Sequence, residues 1–444
     1  MTDPQPAAAP LPNSPASAGS RTILSVWQGV PLYLRILGGV ALGLLVGVAL
    51  NYFELQAAIT ALEIPSKLVL QLLGALASPL ILLAVMQALM HAKIPPGAGF
   101  QLLGLLLLNT VVAILIGLLV ANVIRPGKWT KIDKPEKKVV DGGADGLKKD
   151  PLTLLLENVP KSLIGPLTDG GKVIAVIMIA VAFGIALRQL KDVKVTTVAE
   201  LIEAAFRALI IVLHWIIEVI PFAVFGVVAS IVGRSGTKDF VALGAFVLAV
   251  LLGLMLQLIY YLVQIRVWSW VRPLDVVRGM RDALVMAFST GSSTATMPVT
   301  YACLRENVGL RERSASLGAL VGSNFNNDGT ALYEAMSALF ISQMLGMDLS
   351  LEKQALVVLT SVIASVGAAG IPEAGLVTMT LVFSAVGLDP QYIPILLTVD
   401  WFLDRCRTTI NVMGDVNVSC LLDGRTRESP AKHPDDDELQ QIMK

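Results

Sequence analysis

The chain has 444 residues, with 34 basic and 34 acidic side chains, so its formal net charge is zero and it has no basic footprint for nucleic acid. Apolar residues make up 55% and charged residues only 15%, against about 25% charged in an ordinary soluble domain. Together with a mean hydropathy of +0.70, this excludes a water-soluble globular protein and predicts an all-α polytopic membrane protein.

Residues 1–20, rich in Pro, Ala and Ser, lack the charged start and apolar core of a signal peptide and read as a disordered tail. A helix needs roughly 20 apolar residues to cross a bilayer. Such blocks run over 36–52, 70–90, 101–124, 208–233 and 240–265, with a shorter one at 173–187. Pro79 lies in the second block. His214 and Glu218, four residues apart on one helix face, predict a buried hydrogen-bonding contact between helices. The lysine-rich segment 128–150 reads as a solvated connector. With a cytoplasmic N-terminus, Arg188, Lys191, Lys194, Arg266, Arg272, Arg278 and Arg281 fall on the inside, as the positive-inside rule expects. Cys303, Cys406 and Cys420 are too scattered for a disulfide framework or a zinc site, and His91, His214 and His433 have no metal-ligand spacing.

From Asp282 onward the apolar stretches are broken by small polar and Gly/Pro clusters at 289–298, 322–330 and 365–375. Bare backbone cannot face lipid, because each unsatisfied amide costs several kcal/mol there, so these segments must be enclosed in protein. The first and third read as re-entrant hairpins, the second as a span that unwinds midway. Paired interruptions of this kind point to a substrate site at the bilayer midplane and to an internal repeat.

The most informative segment is 400–415. At about 100° per residue, Asp400, Asp404, Arg407, Thr408, Asn411 and Asp415 share one helix face. An ionisable group in a membrane span costs at least about 2.5 kcal/mol and marks a substrate or ion path. Arg407 offers a planar fork for a carboxylate, and Asp404 can accept from an ammonium group. The pair describes an acidic amino acid. Backbone N–H groups at the hairpin tips can hold a second carboxylate, while Asp328, Asp415, Asn326 and Asn411 form the all-oxygen set that hard cations prefer. The acidic stretch 430–444 is a second, polar tail.

The motifs 400–405 (Asp-Trp-Phe-Leu-Asp-Arg), 326–334 (Asn-x-Asp-Gly-Thr-Ala-Leu-Tyr-Glu) and 367–375 (Gly-Ala-Ala-Gly-Ile-Pro-x-Ala-Gly) resemble the dicarboxylate/amino acid:cation symporter family, which contains the excitatory amino acid transporters and the archaeal aspartate transporters. The resemblance runs from about Leu34 to Leu422. It implies eight transmembrane helices plus two re-entrant hairpins, inverted repeats, a homotrimer and an elevator-type motion, within a transporter spanning 21–430. The scaffold domain would cover about 30–95 and 151–235, the transport domain about 96–127 and 236–425, with the second hairpin as gate. The implied function is symport of glutamate or aspartate across the cell membrane, plasma or inner, on sodium or proton gradients, with potassium countertransport and no resident cofactor.

Carried over by position, the resemblance implies that Arg407 holds the substrate side-chain carboxylate and Asp404 its amino group. Thr408, Asn411 and Thr330 complete the pocket, and backbone around Ser292, Ser293 and Gly375 meets the main-chain carboxylate. Gly322, Asn326, Asn411 and Asp415 match one sodium site; Asn326 and Asp328 match part of another. Arg405, with Gly291 in the first hairpin, resembles the eukaryotic branch. Glu334 stands where that branch has a glutamate linked to proton cotransport and potassium countertransport. Several positions depart from the pattern. Asn327 replaces a methionine whose sulfur helps form a sodium site, and Leu106 and Asn109 replace a tyrosine and a threonine of a third site, beside which Thr110 keeps its hydroxyl. Asn324 replaces a threonine, and Glu373 a glutamine. These departures predict weakened sodium dependence, with Glu334 and Glu373 as proton-coupling candidates. A C4-dicarboxylate symporter is the alternative, which Asp404 opposes because such a substrate has no ammonium; an anion channel on the same fold is another. No Ser/His, His-Glu-x-x-His or Cys-His constellation of an enzyme lies in the spans.

Overall fold

The computed structural model describes residues 30–91, 98–129, 159–168, 173–190, 196–235, 238–367, 370 and 374–427. Both tails, most of the 128–150 connector and Glu373 lie outside them. Among the described residues every regular element is helical. Five helical stretches are long and apolar enough to cross a membrane: Leu34–Tyr52, Gln56–Gln87, Phe100–Trp129, Thr197–Arg234 and Val241–Trp268, with Ala175–Gln189 shorter. They fall on the six apolar blocks, because in each block the side chains alone supply the apolar surface a span needs.

In chain order these helices are α1 (Leu32–Tyr52), the short α2 (Gln56–Ala61), α3 (Ile64–His91), α4 (Ala98–Ile124), α5 (Val173–Gln189), α6 (Thr196–Ser235) and α7 (Lys238–Trp268). Helix α3 runs unbroken through Pro79. One group of contacts joins α1 and α3 to α6, and α3 to α5. The α1–α6 seam is set by Gly39, Gly43 and Gly47. An added Cβ would lie 2.7 Å from the Pro221 carbonyl oxygen, 2.8 Å from Val228 Cβ and 2.6 Å from Val232 Cβ, respectively. Small residues one turn apart let two backbones approach this closely. Gly43→Leu is therefore expected to force the helices apart at a cost of about 1–3 kcal/mol, read as a lower unfolding temperature in detergent; an unchanged temperature would refute the seam.

Glu218 does join two helices, through an ion pair with the nearly buried Arg35 of α1. His214 does not take part. Its Nδ1 lies 2.7 Å from the Ile210 carbonyl of its own helix and the ring is exposed, so the inter-helix contact expected of the pair is made by Glu218 alone, with Arg35. Four residues of spacing brought the two to one face but could not name the partner helix.

The second half is built differently. After α8 (Pro273–Gly279) come α9 (Arg281–Thr290) and α10 (Ser293–Ala302), packed on each other. They turn at Gly291, whose φ of 64° suits a residue without Cβ. Ser292 caps α10, accepting from Ala295 N at 3.1 Å. Helices α11 (Glu312–Ser316) and α12 (Gly322–Phe325) are linked by a π turn. The chain breaks at Asn326–Asn327, as expected of an unwound span, and resumes as α13 (Asp328–Met344), all 17 residues of which are buried. Helices α14 (Leu351–Gly367) and α15 (Ala374–Val386) form a second packed pair, and α16 (Ile393–Asp423) closes the fold. Helices α4, α7, α13 and α16 pack around one another. Gly117 of α4 and Gly253 of α7 both approach Leu332, where added Cβ atoms would lie 2.9 Å from its carbonyl and 3.2 Å from its side chain. Polar α13 can therefore sit at depth only because protein surrounds it.

Candidate functional site

Three breaks in helix meet over one face of α16. The turn between α9 and α10 touches Gly370, which stands between α14 and α15. Ser292 Oγ donates to the Gly370 carbonyl at 2.7 Å, and Thr294 N donates to the same oxygen at 3.2 Å. Ser293 Oγ donates to the Ser323 carbonyl, in α12, at 2.8 Å. The side chains of Ser292 and Ser293 thus join the turns to each other and to the interrupted span.

Below the tips lies Arg407, fully buried. Its Nη1 donates to Asp400 and its Nη2 to Asp404, both at 2.7 Å, and its guanidinium carbon stands 4.0 Å from the centroid of the Tyr333 ring. Gly375 covers the other side, an added Cβ lying 3.4 Å from the guanidinium carbon and 3.2 Å from Thr330 Cγ2. Asp404 in turn faces the first tip, its Oδ2 3.0 Å from where a Cβ on Gly291 would be. The fork that the sequence aims at a substrate carboxylate is thus closed on two carboxylates of its own helix, one and two turns away. Such charge-assisted bonds compensate a cation that would otherwise be buried unpaired. Buried Thr408 lies beside it on α16.

Asn411 knits the broken span to α16. Its Oδ1 accepts from Gly329 N at 2.8 Å, and its Nδ2 donates to Asn327 Oδ1 and Thr330 Oγ1, both at 3.3 Å. Asn326 Nδ2 donates to Asp415 Oδ1 at 3.1 Å and to the Asn411 carbonyl at 3.3 Å, whereas its buried Oδ1 has no hydrogen-bond partner among the described residues. Gly322 must be glycine here, because a Cβ would run into the Asp415 carboxylate. Carboxylate, amide and main-chain oxygens collected in a buried place, one amide oxygen unsatisfied, are the donor chemistry a hard cation takes.

Asp328 forms a second oxygen cluster. Thr110 donates to its Oδ1 at 2.6 Å and the Tyr261 hydroxyl to its Oδ2. Leu106 packs with Leu102, Leu317, Val321 and Val418. Asn109 bonds across to Asn417 Oδ1 at 3.0 Å. Glu334 is fully buried, accepts from Thr378 Oγ1 at Oε1, and has no partner for Oε2 among the described residues. The other proton-coupling candidate, Glu373, lies outside the described residues.

Tyr261 and Thr378 belong to this constellation and stand outside the motifs read from the sequence, whereas Tyr333 and Gly370 lie inside those motifs without a role of their own. Tyr333 had a signal, one position before Glu334 in a polar-bearing helix. Tyr261 sits in an otherwise apolar span, where a tyrosine reads as lipid-facing or core.

The family description Sodium:dicarboxylate symporter family matches residues 32–425 of the chain. The chain is 29% identical to excitatory amino acid transporter 4 of Mus musculus over 462 aligned residues, covering 86% of this chain and 81% of the relative. It is 31% identical to an excitatory amino acid transporter of Caenorhabditis elegans, covering 89% of this chain and 88% of the relative. It is 40% identical to excitatory amino acid transporter 2 of Homo sapiens over 259 residues, covering 56% of this chain and 43% of that one.

Proposed function

The chain belongs to the sodium:dicarboxylate symporter family, and from that membership and the site we propose that it is a multi-pass secondary transporter carrying aspartate or glutamate across the cell membrane on cation gradients. The observation that carries this is buried Arg407 with Asp404 beneath two converging turns. A substrate carboxylate takes the place of Asp404 on Nη2 while Asp400 stays on Nη1, and the released Asp404 meets the substrate ammonium. Ligand charges thereby replace protein charges without leaving any buried ion unpaired. Names of the relatives, excitatory amino acid transporters, support the same substrate class.

The packing supports a division into a fixed and a moving part. Helices α1, α3, α5 and α6 serve as scaffold, while α4, α7, the two helical pairs, α13 and α16 carry the site as one transport unit. The full architecture is eight spans and two re-entrant hairpins in inverted repeats, assembled as a homotrimer. The α14–α15 hairpin gates, and the transport unit slides against the scaffold. Sodium is held by Gly322, Asn326, Asn411 and Asp415, with Thr110, Asn326 and Asp328 as a second set. Glu334 and Glu373 carry protons.

Uptake of radiolabelled aspartate and glutamate into proteoliposomes, with sodium and proton gradients imposed separately, tests this. Uptake driven by either gradient is expected. Tight competition by succinate would move the substrate class to C4-dicarboxylates, and no driven uptake of any of these would refute the reading. For the proton role, Glu334→Gln is expected to retain sodium-driven uptake and lose the acceleration by an inward proton gradient. Unchanged acceleration in that variant would remove Glu334 from the coupling path.

A further inference from the structure

Asn327 stands where the family resemblance implies a methionine, and its contacts differ in kind from any a thioether can make. Its Nδ2 donates to the Ser365 carbonyl at 2.9 Å and reaches the Asn324 carbonyl more weakly at 3.5 Å. Its Oδ1 accepts from Asn411 Nδ2 at 3.3 Å. The residue is 2% exposed. One side chain therefore joins the break after α12, the last turn of α14 and the polar face of α16. The reversed amide would set Oδ1 against two carbonyl oxygens and Nδ2 against another N–H donor, so its partners fix this orientation.

The two carbonyls are of a particular sort. Ser365 lies in the final turn of α14 and Asn324 in the final turn of α12. The last four carbonyls of a helix have no partner within it, and they form the negative end of the helix dipole. Two such ends converge here in a buried place. A methionine at this position has no donor to offer them, so closing α14 on the broken span would call for a hard cation between the oxygens. An amide answers the same need with its own N–H groups.

We propose that Asn327 is a built-in substitute for a coupling cation: its amide closes the α14–α15 hairpin onto the interrupted span, so that this closure takes up no sodium ion. The number of sodium ions coupled to each substrate is then lower by the one this junction would hold. A ligand shifts a conformational equilibrium only by its differential affinity for the two states, and a junction already satisfied within the protein offers sodium none. The inference deepens the proposed transport function, and its first test does not depend on that function.

On the unmodified protein without substrate, hydrogen exchange of the last turn of α14 is measured with increasing sodium, choline holding the ionic strength. No sodium-dependent protection there is expected; protection that rises with sodium would overturn the proposal. The isosteric Asn327→Asp and the variant Asn327→Met are then titrated with aspartate at several sodium concentrations. The slope of log Kd against log sodium is expected to be steeper by about one in the variants. Folded variants with the wild-type slope would overturn the tether and leave the substrate assignment standing. If aspartate and glutamate bind to none of the proteins, the substrate assignment fails, and the exchange experiment still decides for or against the tether. A merely structural role for Asn327 would alter stability without altering the sodium slope.

Discussion

Arg407→Ala is expected to abolish aspartate and glutamate uptake while the protein still reaches the membrane. The guanidinium compensates Asp400 and Asp404, both buried, and removing one partner of a buried ion pair costs about 3–5 kcal/mol. At tenfold per 1.4 kcal/mol, that is a loss of about a hundredfold to a thousandfold or more. The same deletion removes the guanidinium beneath the tips, so substrate affinity falls with it. Arg407→Lys keeps the charge but replaces a planar fork by a point donor, and cannot hold Asp400 and Asp404 at once in the same geometry. It is expected to fold nearly as well as wild type and to lose about tenfold to a hundredfold in affinity. Uptake per folded molecule, with folding judged by size-exclusion profile and unfolding temperature, checks both. Wild-type uptake by Arg407→Ala would show that the substrate carboxylate is held elsewhere.

Gly370→Ala is expected to cripple closure of the two tips. A Cβ there would fall on the Ser323 carbonyl and 2.5 Å from both Ser293 Oγ and Thr294 Oγ1. The backbone cannot step aside cheaply, because the Gly370 carbonyl accepts from Ser292 Oγ and Thr294 N. The variant must either compress the junction, at about 1–3 kcal/mol, or give up two hydrogen bonds worth about 1 kcal/mol each. Either route predicts a loss of aspartate affinity of about fivefold to a hundred-and-fiftyfold. The unfolding temperature without substrate should change little if the tips simply open. Calorimetric titration with aspartate checks the first statement and a thermal melt the second. Undiminished affinity would mean that the tips are apart in the substrate-bound protein.

Much of the site was readable before any coordinates because a membrane makes polarity expensive. Asp400, Asp404, Arg407, Asn411 and Asp415 stand out in an apolar chain, and helical geometry alone puts them on one face. The Ser/Gly clusters near 291, 326 and 370 were legible as enclosed breaks for the same reason. The partners were not. Asp328 receives the Tyr261 hydroxyl from a helix 67 positions earlier in the chain, and nothing local to either residue announces the meeting. His214 and Glu218 share a face, but their spacing does not say that Glu218 alone reaches another helix, nor that its partner there is Arg35. Asn327 was legible as a departure from a pattern, but its consequence, an amide set between the ends of two helices, was not.

Residence in a bilayer, the stretches that can span it, those that must be enclosed and the charged face of the last helix can all be read from the residues alone. Each of these is a property of one segment against its solvent, settled by the cost of placing polar groups in hydrocarbon. It takes the folded arrangement to close Arg407 on Asp400 and Asp404, to set the seam of Gly39, Gly43 and Gly47 with α6, and to bring the first tip onto Gly370. Those outcomes depend on which helices approach and at what distance. That is a balance of packing among segments far apart in the chain, and no single segment encodes it.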